Sequence, residues 1–383
     1  MKVSILGAGN AGCFTAVHYA FFTQQHDVEI ELIHNPDIKP EPVGQATFPD
    51  EPKLLSDALG FNWYNNTVNA TPKTGILYEG FGKLNEEVFH PFPSHVLGMH
   101  FCPSEMQDYI LKSGLFKVIE DVVPDPNDVD ADYIFDCRGK PKDFSDYETL
   151  KNPLNSAILA KPNWDTTKEL WSRHIATPDG WTFIIPTVEE SPSHDYCVGY
   201  LYNSNITSKE EAEKNLLDMF DVEVKSHLPF TNYVAKNPVV DDRIFLNGNR
   251  LSFIEPLESN SINTYLQWAK DVFTVTCLKK ATARAASDHI ISHIKESQNF
   301  ILWHYQFGSK YDTPFWKYAS SLKFTDPKFD FVLNQIEGLD MNAIKIREIG
   351  EHPPAYGAWN HSSLKCWKDG MTISQKYAML DSS

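Results

Sequence analysis

Apolar residues recur along this chain with two spacings. Lys2–Leu6 is a short apolar run; a glycine turn follows, and an apolar helical period continues to about Phe22. Val28–Ile33 then alternates apolar and polar positions, as a half-buried strand does. Together these stretches predict a β-α-β unit at the start of the protein. Pro40 to Pro52 is rich in proline and reads as a long loop, with a short helix at Ser56–Leu59. Gly75–Tyr78 and Val96–His100 read as strands of an inserted sheet. Ala131–Phe135 and Arg243–Asn247 read as buried strands, the first ending in Asp136-Cys137-Arg138-Gly139 and the second turned by Gly248. Trp181–Pro186 and Tyr196–Tyr202 suggest an antiparallel pair. Ser208–Phe220 reads as a helix with Glu210, Glu211 and Glu213 early in it, where the helix dipole favours acids. Ser261 to Tyr305 is one long helical pattern, and the tail beyond Gly350 is aromatic and loop-rich.

Composition narrows the class. A chain of 383 residues with 42% hydrophobic and 22% charged content buries a large core. The formal charge of −17 argues against nucleic acid and against an anionic membrane surface as partners. An anionic ligand would need a local positive site within that negative field. The six cysteines are scattered with no C-x-x-C, which fits free thiols in a reducing compartment and neither a disulfide framework nor a zinc site. No apolar run approaches the 18 or so residues of a spanning helix. A first strand beginning at Lys2 leaves no room for a signal peptide, so a cytoplasmic location is expected.

The first chemical signal is Gly7-Ala8-Gly9-Asn10-Ala11-Gly12, between a strand and a helix. Gly7 permits the tight turn, Gly9 admits a pyrophosphate to the backbone, and Gly12 lets helix and strand pack closely, with the helix N-terminus facing phosphate. An acid is expected about 20 residues on, for the ribose. The chain offers Glu31 or His34, and the frame places His34 at the strand end. The late strand with its Asn247-Gly248-Asn249 turn, and the mid-chain Asp136-Cys137-Arg138-Gly139, favour FAD over NAD. The expected fold is therefore α/β (α+β). Its core is a Rossmann-type FAD-binding fold of the glutathione-reductase/monooxygenase kind, with an inserted antiparallel β-sheet and C-terminal helices. Interleaved in one body, the core takes residues from about 1–50, 105–140 and 235–295, the sheet platform about 60–104 and 150–234, and the tail about 296–383.

Five further motifs occur in order. They are Val43-Gly44-Gln45-Ala46-Thr47-Phe48-Pro49, Ala70-Thr71-Pro72-Lys73-Thr74-Gly75-Ile76, Trp181-Thr182-Phe183-Ile184-Ile185-Pro186, Phe253-Ile254-Glu255-Pro256-Leu257-Glu258-Ser259, and His304-Tyr305 followed by Asp312-Thr313-Pro314-Phe315-Trp316. This set resembles the flavin-dependent halogenases of the tryptophan-halogenase family, whose patterns are V-G-E-A-T-x-P, A-T-F-K-x-G-I, W-x-W-x-I-P, F-V-E-P-L-E-S/A and H-Y…D-T-P-F-W. The chain departs from these patterns at Gln45 and Phe183, and from the family outside them at Asn249, where an aspartate is usual, and at Asn260-Ser261-Ile262, where the family has T-G-I.

The resemblance implies a chemistry. Reduced FAD (FADH2) from a separate NAD(P)H-dependent flavin reductase meets O2 and forms a C4a-hydroperoxide. Halide attacks it, and the resulting hypohalous acid passes to a chamber holding a small aromatic substrate. Lys73 and Glu258 are then the catalytic pair: an ammonium can polarise the oxidant or form a haloamine, and a carboxylate can orient it or take the ring proton. Without their motifs, Lys73 would read as a solvated surface lysine and Glu258 as a helix N-terminal acid. The resemblance also assigns Val43, Gly44, Gln45, Ala46, Thr47 and Pro256 to the flavin. It places halide at Ser259, Asn260 and Ser261, and a wall between flavin and substrate at Trp181, Phe183, Ile185 and Pro186. His90, Pro91 and Phe92 fall where substrate-stacking aromatics are expected. The tail is shorter than the family's, so a more open chamber is expected, with Tyr356, Trp359 and Trp367 either stacking on substrate or forming a satellite core. A homodimer is compatible with this reading. Its rivals are a flavin monooxygenase and a degenerate flavin-binding protein without turnover. No H-E-x-x-H, P-loop or nucleophile elbow supports a metal, ATPase or hydrolase reading.

Overall fold

A computed structural model describes residues 1–341, 343–345, 348, 349 and 352–373. The chain divides into two compact units, each assembled from three stretches of sequence. The first takes Met1–Ala70, Phe101–Leu150 and Asn232–Ile294; the second takes Thr71–His100, Lys151–Thr231 and Lys295–Ser383. The C-terminal stretch therefore shares a unit with the inserted sheet.

The first unit is built on a six-stranded sheet ordered Val239–Val240, Ile244–Leu246, Tyr133–Asp136, Lys2–Leu6, Glu29–His34, Lys117–Glu120. Every pair is parallel except the first, a hairpin. The opening β-α-β unit is present, with its helix at Asn10–Phe22. Residues Ala11 to Ala20 of this helix are all buried, so it lies in the core and lacks the single apolar face of a surface helix. The expected loop from Pro40 to Pro52 is shortened by a helix that begins at Asp50 and runs to Leu59. Pro52 sits in its first turn, where no backbone N–H is needed, and Asp50 and Glu51 complement the dipole. The long helical pattern is two helices, Ser261–Thr276 and Ala283–Gln306, broken near Lys279, whose φ is +54°.

The second unit is built on a seven-stranded sheet ordered Val222–Pro229, Ser156–Pro162, Val198–Tyr202, Gly180–Ile184, Ser172–Thr177, Gly75–Glu79, Glu87–Pro91. It is antiparallel except where Ser172–Thr177 runs parallel to Gly75–Glu79. The aromatic tail contains a helix the sequence pattern did not announce, His361–Thr372, capped by the Asn360 side chain on the Ser363 N–H. Its Trp367 is wholly buried, with the His304 ring 3.9 Å away and Trp303, Phe307 and Tyr78 around it. Trp359 packs on Phe300 at 4.3 Å, and Tyr356 gives its hydroxyl proton to Asp326. These three aromatics are a satellite core. Burying such rings stabilises by several kcal/mol each, roughly 3–5 on truncation.

Candidate active site

The glycine turn of the first unit is shaped by what its atoms must avoid. Gly7 has φ +99°, and an added Cβ would lie 2.8 Å from the Cys137 carbonyl oxygen. A Cβ on Gly12 would lie 1.8 Å from the Gly7 carbonyl oxygen, so helix and turn touch through hydrogen only. Gly9 differs: a Cβ there meets nothing within 4 Å among the described residues. It N-caps the Asn10–Phe22 helix without a side-chain cap, and no acid occupies the first turn. A bare helix N-terminus beside an open glycine suits an anion such as the FAD pyrophosphate.

The late strand closes on the same place. Gly248, φ +64°, would bring a Cβ within 2.6 Å of the Ala11 side chain. Asn247 holds the turn: its Nδ2 donates to Thr15 Oγ1 at 3.0 Å and its Oδ1 accepts the Gly248 N–H at 2.7 Å. Asn249, where an aspartate is usual, accepts the Tyr265 hydroxyl at 3.1 Å. Asp136 ends its strand bridged to Arg138 and Arg250. Burial pulls this carboxyl up, but the two guanidiniums outweigh it and hold the group below the usual range.

Of the two ribose candidates, Glu31 is spent internally. It accepts from Ser4 at 2.6 Å and pairs with Lys2 and Lys117. His34 stands at the strand end, half-buried. In the V-G-Q-A-T loop Gly44, Ala46 and Thr47 are buried, Val43 and Gln45 half-buried, and Gln45 donates to the Val43 carbonyl.

Glu258 is 1% exposed and closes a 3-10 turn, Pro256–Glu258. Ser259 follows at φ +53°, then Asn260, then the Ser261–Thr276 helix. Glu258 is thus a buried turn residue ahead of the helix, not an acid in its first turn. Asn260 is 1% exposed, and neither atom of its amide has a hydrogen-bond partner among the described residues. Together with Ser252, Ile254, Ser261, Thr264 and Tyr265 it lines a cavity of about 10 Å³, roughly the volume one water-sized species needs. An unpaired buried amide costs about 1–3 kcal/mol.

Lys73 lies in the second unit, and the surface-lysine alternative is overturned: it is 0% exposed. It ends the short strand Thr71–Lys73, paired antiparallel so that Lys73 faces Gly98 and Thr71 faces His100. Its ammonium stands 5.3 Å from the centre of the Phe92 ring, within cation–π range. Close backbone contact explains the following glycine, since a Cβ on Gly75 would strike the His90 carbonyl oxygen at 2.4 Å. The structure thus brings together Lys73 and the end of His90-Pro91-Phe92. His90 itself turns elsewhere, with Nε2 2.6 Å from Ser363 Oγ on the tail helix.

Two of the motifs prove to be wired to each other. Thr71 donates its hydroxyl proton to the Pro186 carbonyl at 2.9 Å. Trp181 is fully buried, giving its N–H to the Tyr305 hydroxyl at 3.0 Å and packing on His174 at 4.7 Å. Phe183 and Ile185 are buried too. Phe183 presses on Gly199, where a Cβ would meet the ring at 2.1 Å. The sequence reading missed His100 and Ser172, which complete the polar surroundings of the lysine strand; no local pattern marks either.

A parallel sheet with a glycine-turn helix N-terminus is the frame of a dinucleotide-binding fold, and the relatives give the class. The family model for tryptophan halogenase matches residues 2–115 and 117–338. Tryptophan 7-halogenase RebH of Lentzea aerocolonigenes is 22% identical over 484 aligned positions, covering 97% of this chain and 89% of that protein. Among solved structures, the tryptophan 5-halogenase MibH superposes with a TM-score of 0.76 at 17% identity, over 98% of this chain and 86% of that one. BrvH, a flavin-dependent halogenase from Brevundimonas sp. BAL3, superposes at 0.72 and 18%, over 97% and 89%. The chain belongs to the tryptophan halogenase family, and its class is that of the flavin-dependent halogenases. No described helix is long and apolar enough to cross a membrane.

Proposed function

We propose that this protein halogenates a small indole- or phenol-like substrate, using FADH2, O2 and halide, through hypohalous acid held by Lys73 and Glu258. The observation that carries this reading is a wholly buried lysine set against an aromatic ring in the A-T-x-K motif. Burying an ammonium is costly, and a fold retains one where the charge has a task. FAD, when bound, supplies the oxygen activation from which the oxidant arises.

The chain's own residues do the rest. The open face of Gly9, with Gly7, Asn10, Ala11 and Gly12, receives the pyrophosphate on backbone N–H groups. His34 and Asn249 border the cofactor, and Val43 to Thr47 with Pro256 flank its ring. Ser259, Asn260 and Ser261 take the halide, where turn dipoles and the Asn260 amide supply a local positive field in an acidic protein. Lys73 donates a hydrogen bond to the oxidant and raises the electrophilicity of its halogen. Glu258 orients the oxidant or takes the proton from the substituted carbon. Trp181, Phe183, Ile185 and Pro186 wall the flavin from the substrate, which Phe92 and its neighbours His90 and Pro91 border. A separate NAD(P)H-dependent reductase supplies the reduced flavin, and the setting is cytoplasmic.

Product mass spectrometry tests the proposal. An indole and phenol panel is incubated with reduced flavin, O2 and chloride, bromide or iodide in turn. A halide-dependent mass gain is expected. Oxygenated product formed without halide would overturn it in favour of a monooxygenase. Failure to bind flavin in either redox form would favour a degenerate binding protein.

A further inference from the structure

His100 belongs to none of the motifs, yet it is 0% exposed and both of its ring nitrogens are engaged. Nδ1 lies 3.2 Å from Thr71 Oγ1 and Nε2 lies 2.9 Å from Ser172 Oγ. The direction of each bond can be read from its neighbours. Thr71 has one hydroxyl proton, and it goes to the Pro186 carbonyl. Thr71 Oγ1 must then accept from His100, which fixes the Nδ1–H tautomer and leaves Nε2 to accept from Ser172. Burial, the Lys73 ammonium and His174, in that order, push the imidazole well below its ordinary range, so the ring is neutral as this chain of bonds requires.

We propose that His100 is a positioning residue for Lys73. It ties the Thr71–Lys73 strand to the Ser172–Thr177 strand, and the Thr71 hydroxyl carries the cradle on to the Ile185-Pro186 end of the tryptophan motif. The lysine strand is only three residues long, so its ladder to Gly98–Phe101 gives it few bonds of its own. The His100 ring adds one across the pair, at Thr71, and one into the large sheet, at Ser172. A neutral imidazole does this without setting a second cation beside the ammonium. The inference rests on the reading of Lys73 as the group that holds the oxidant, since displacements near 1 Å at such a group cost roughly 100-fold.

The test compares His100→Phe, which fills the space without either bond, with His100→Asn, which can keep the donor to Thr71. Three readouts are taken on the full chain: halogenated product, hypohalous acid escaping to a 1,3-diketone scavenger, and reductive methylation of Lys73 located by peptide mass spectrometry. In His100→Phe we expect kcat for product to fall about 10- to 100-fold, with KM for the aromatic substrate little changed and the scavenged share of oxidant raised. Lys73 methylation should speed up, and His100→Asn should recover part of each change. A Phe variant with wild-type kcat, scavenged share and methylation rate would overturn the proposal. So would variants in which product, flavin reoxidation and melting temperature fall together with no rise in the scavenged share, which is a merely structural effect. If the wild type makes no halogenated product while methylation still responds to His100, the proposed function fails and the brace on Lys73 survives.

Discussion

The glycine turn and the lysine cradle are both precise, but they reach precision by opposite routes. The turn is a steric device made from six consecutive residues, in which missing side chains let the Gly7 carbonyl, the Gly12 backbone and the first strand touch. The cradle is a polar device made from Thr71, His100, Ser172 and Pro186, partners separated by 29, 72 and 115 positions. Backbone crowding is enforced within one turn of chain. A buried cation must be surrounded from several directions, and only a folded sheet brings those directions together.

Substitutions can break this contrast or sharpen it. The largest effect is expected at Lys73. Lys73→Ala should cut product by more than about 1,000-fold, or roughly 4 kcal/mol in the barrier, while flavin reoxidation continues. Unchanged product yield would remove Lys73 from the chemistry.

Gly12→Ala should come next in cost. With its Cβ 1.8 Å from a carbonyl, it should lower stability by about 3 kcal/mol or more, and denaturant unfolding reads this directly. Gly9→Ala is the control for the same turn. Its Cβ meets no atom of the described residues within 4 Å, so the melting temperature should hold while flavin affinity drops about tenfold. Equal loss of stability in both variants would show that the turn is only a packing feature.

A smaller effect is expected from acid. His18, in the first helix, is buried among Phe22, Tyr19 and Phe273. Burial, with help from Lys270, pushes its imidazole down to about 3. The unfolded chain therefore binds more protons than the folded one between pH 3 and the ordinary histidine value of 6.5, and stability falls as pH drops through that window. His18→Phe should flatten part of this slope, as urea titrations between pH 4 and 7 would show; an unaltered slope places the acid sensitivity elsewhere.

The smallest change in fold, with a visible change in function, is expected at Asn260. Asn260→Leu removes the unpaired amide and should raise stability by up to about 1–2 kcal/mol. It should also weaken halide use, raising KM for bromide. A variant that is more stable with the same halide KM would reduce Asn260 to a packing fault.

Much of the first unit was legible before any coordinates. The opening strand and helix, the late strand and its glycine turn all fall where the apolar spacing puts them. The misses have definite causes. Pro52 concealed a helix start because proline is tolerated in a first turn. The break near Lys279 was hidden inside a continuous apolar period. Pro353 and Pro354 made the tail look irregular, although Asn360 and the residues after it form a capped helix around Trp367. Glu31 is the acid the chain offers near the expected ribose position, and nothing in its sequence tells that Ser4 and Lys2 hold it.

The sequence by itself determined the dinucleotide turn and the order of the family's motifs, because short-range sterics and contiguous residues carry both. Which lysine is hidden from water, whether Glu31 is already spent, and which histidine stands beside the ammonium were decided by tertiary structure. Solvent exclusion and hydrogen-bond partners are properties of surfaces brought together from distant parts of the chain, and no residue carries them alone.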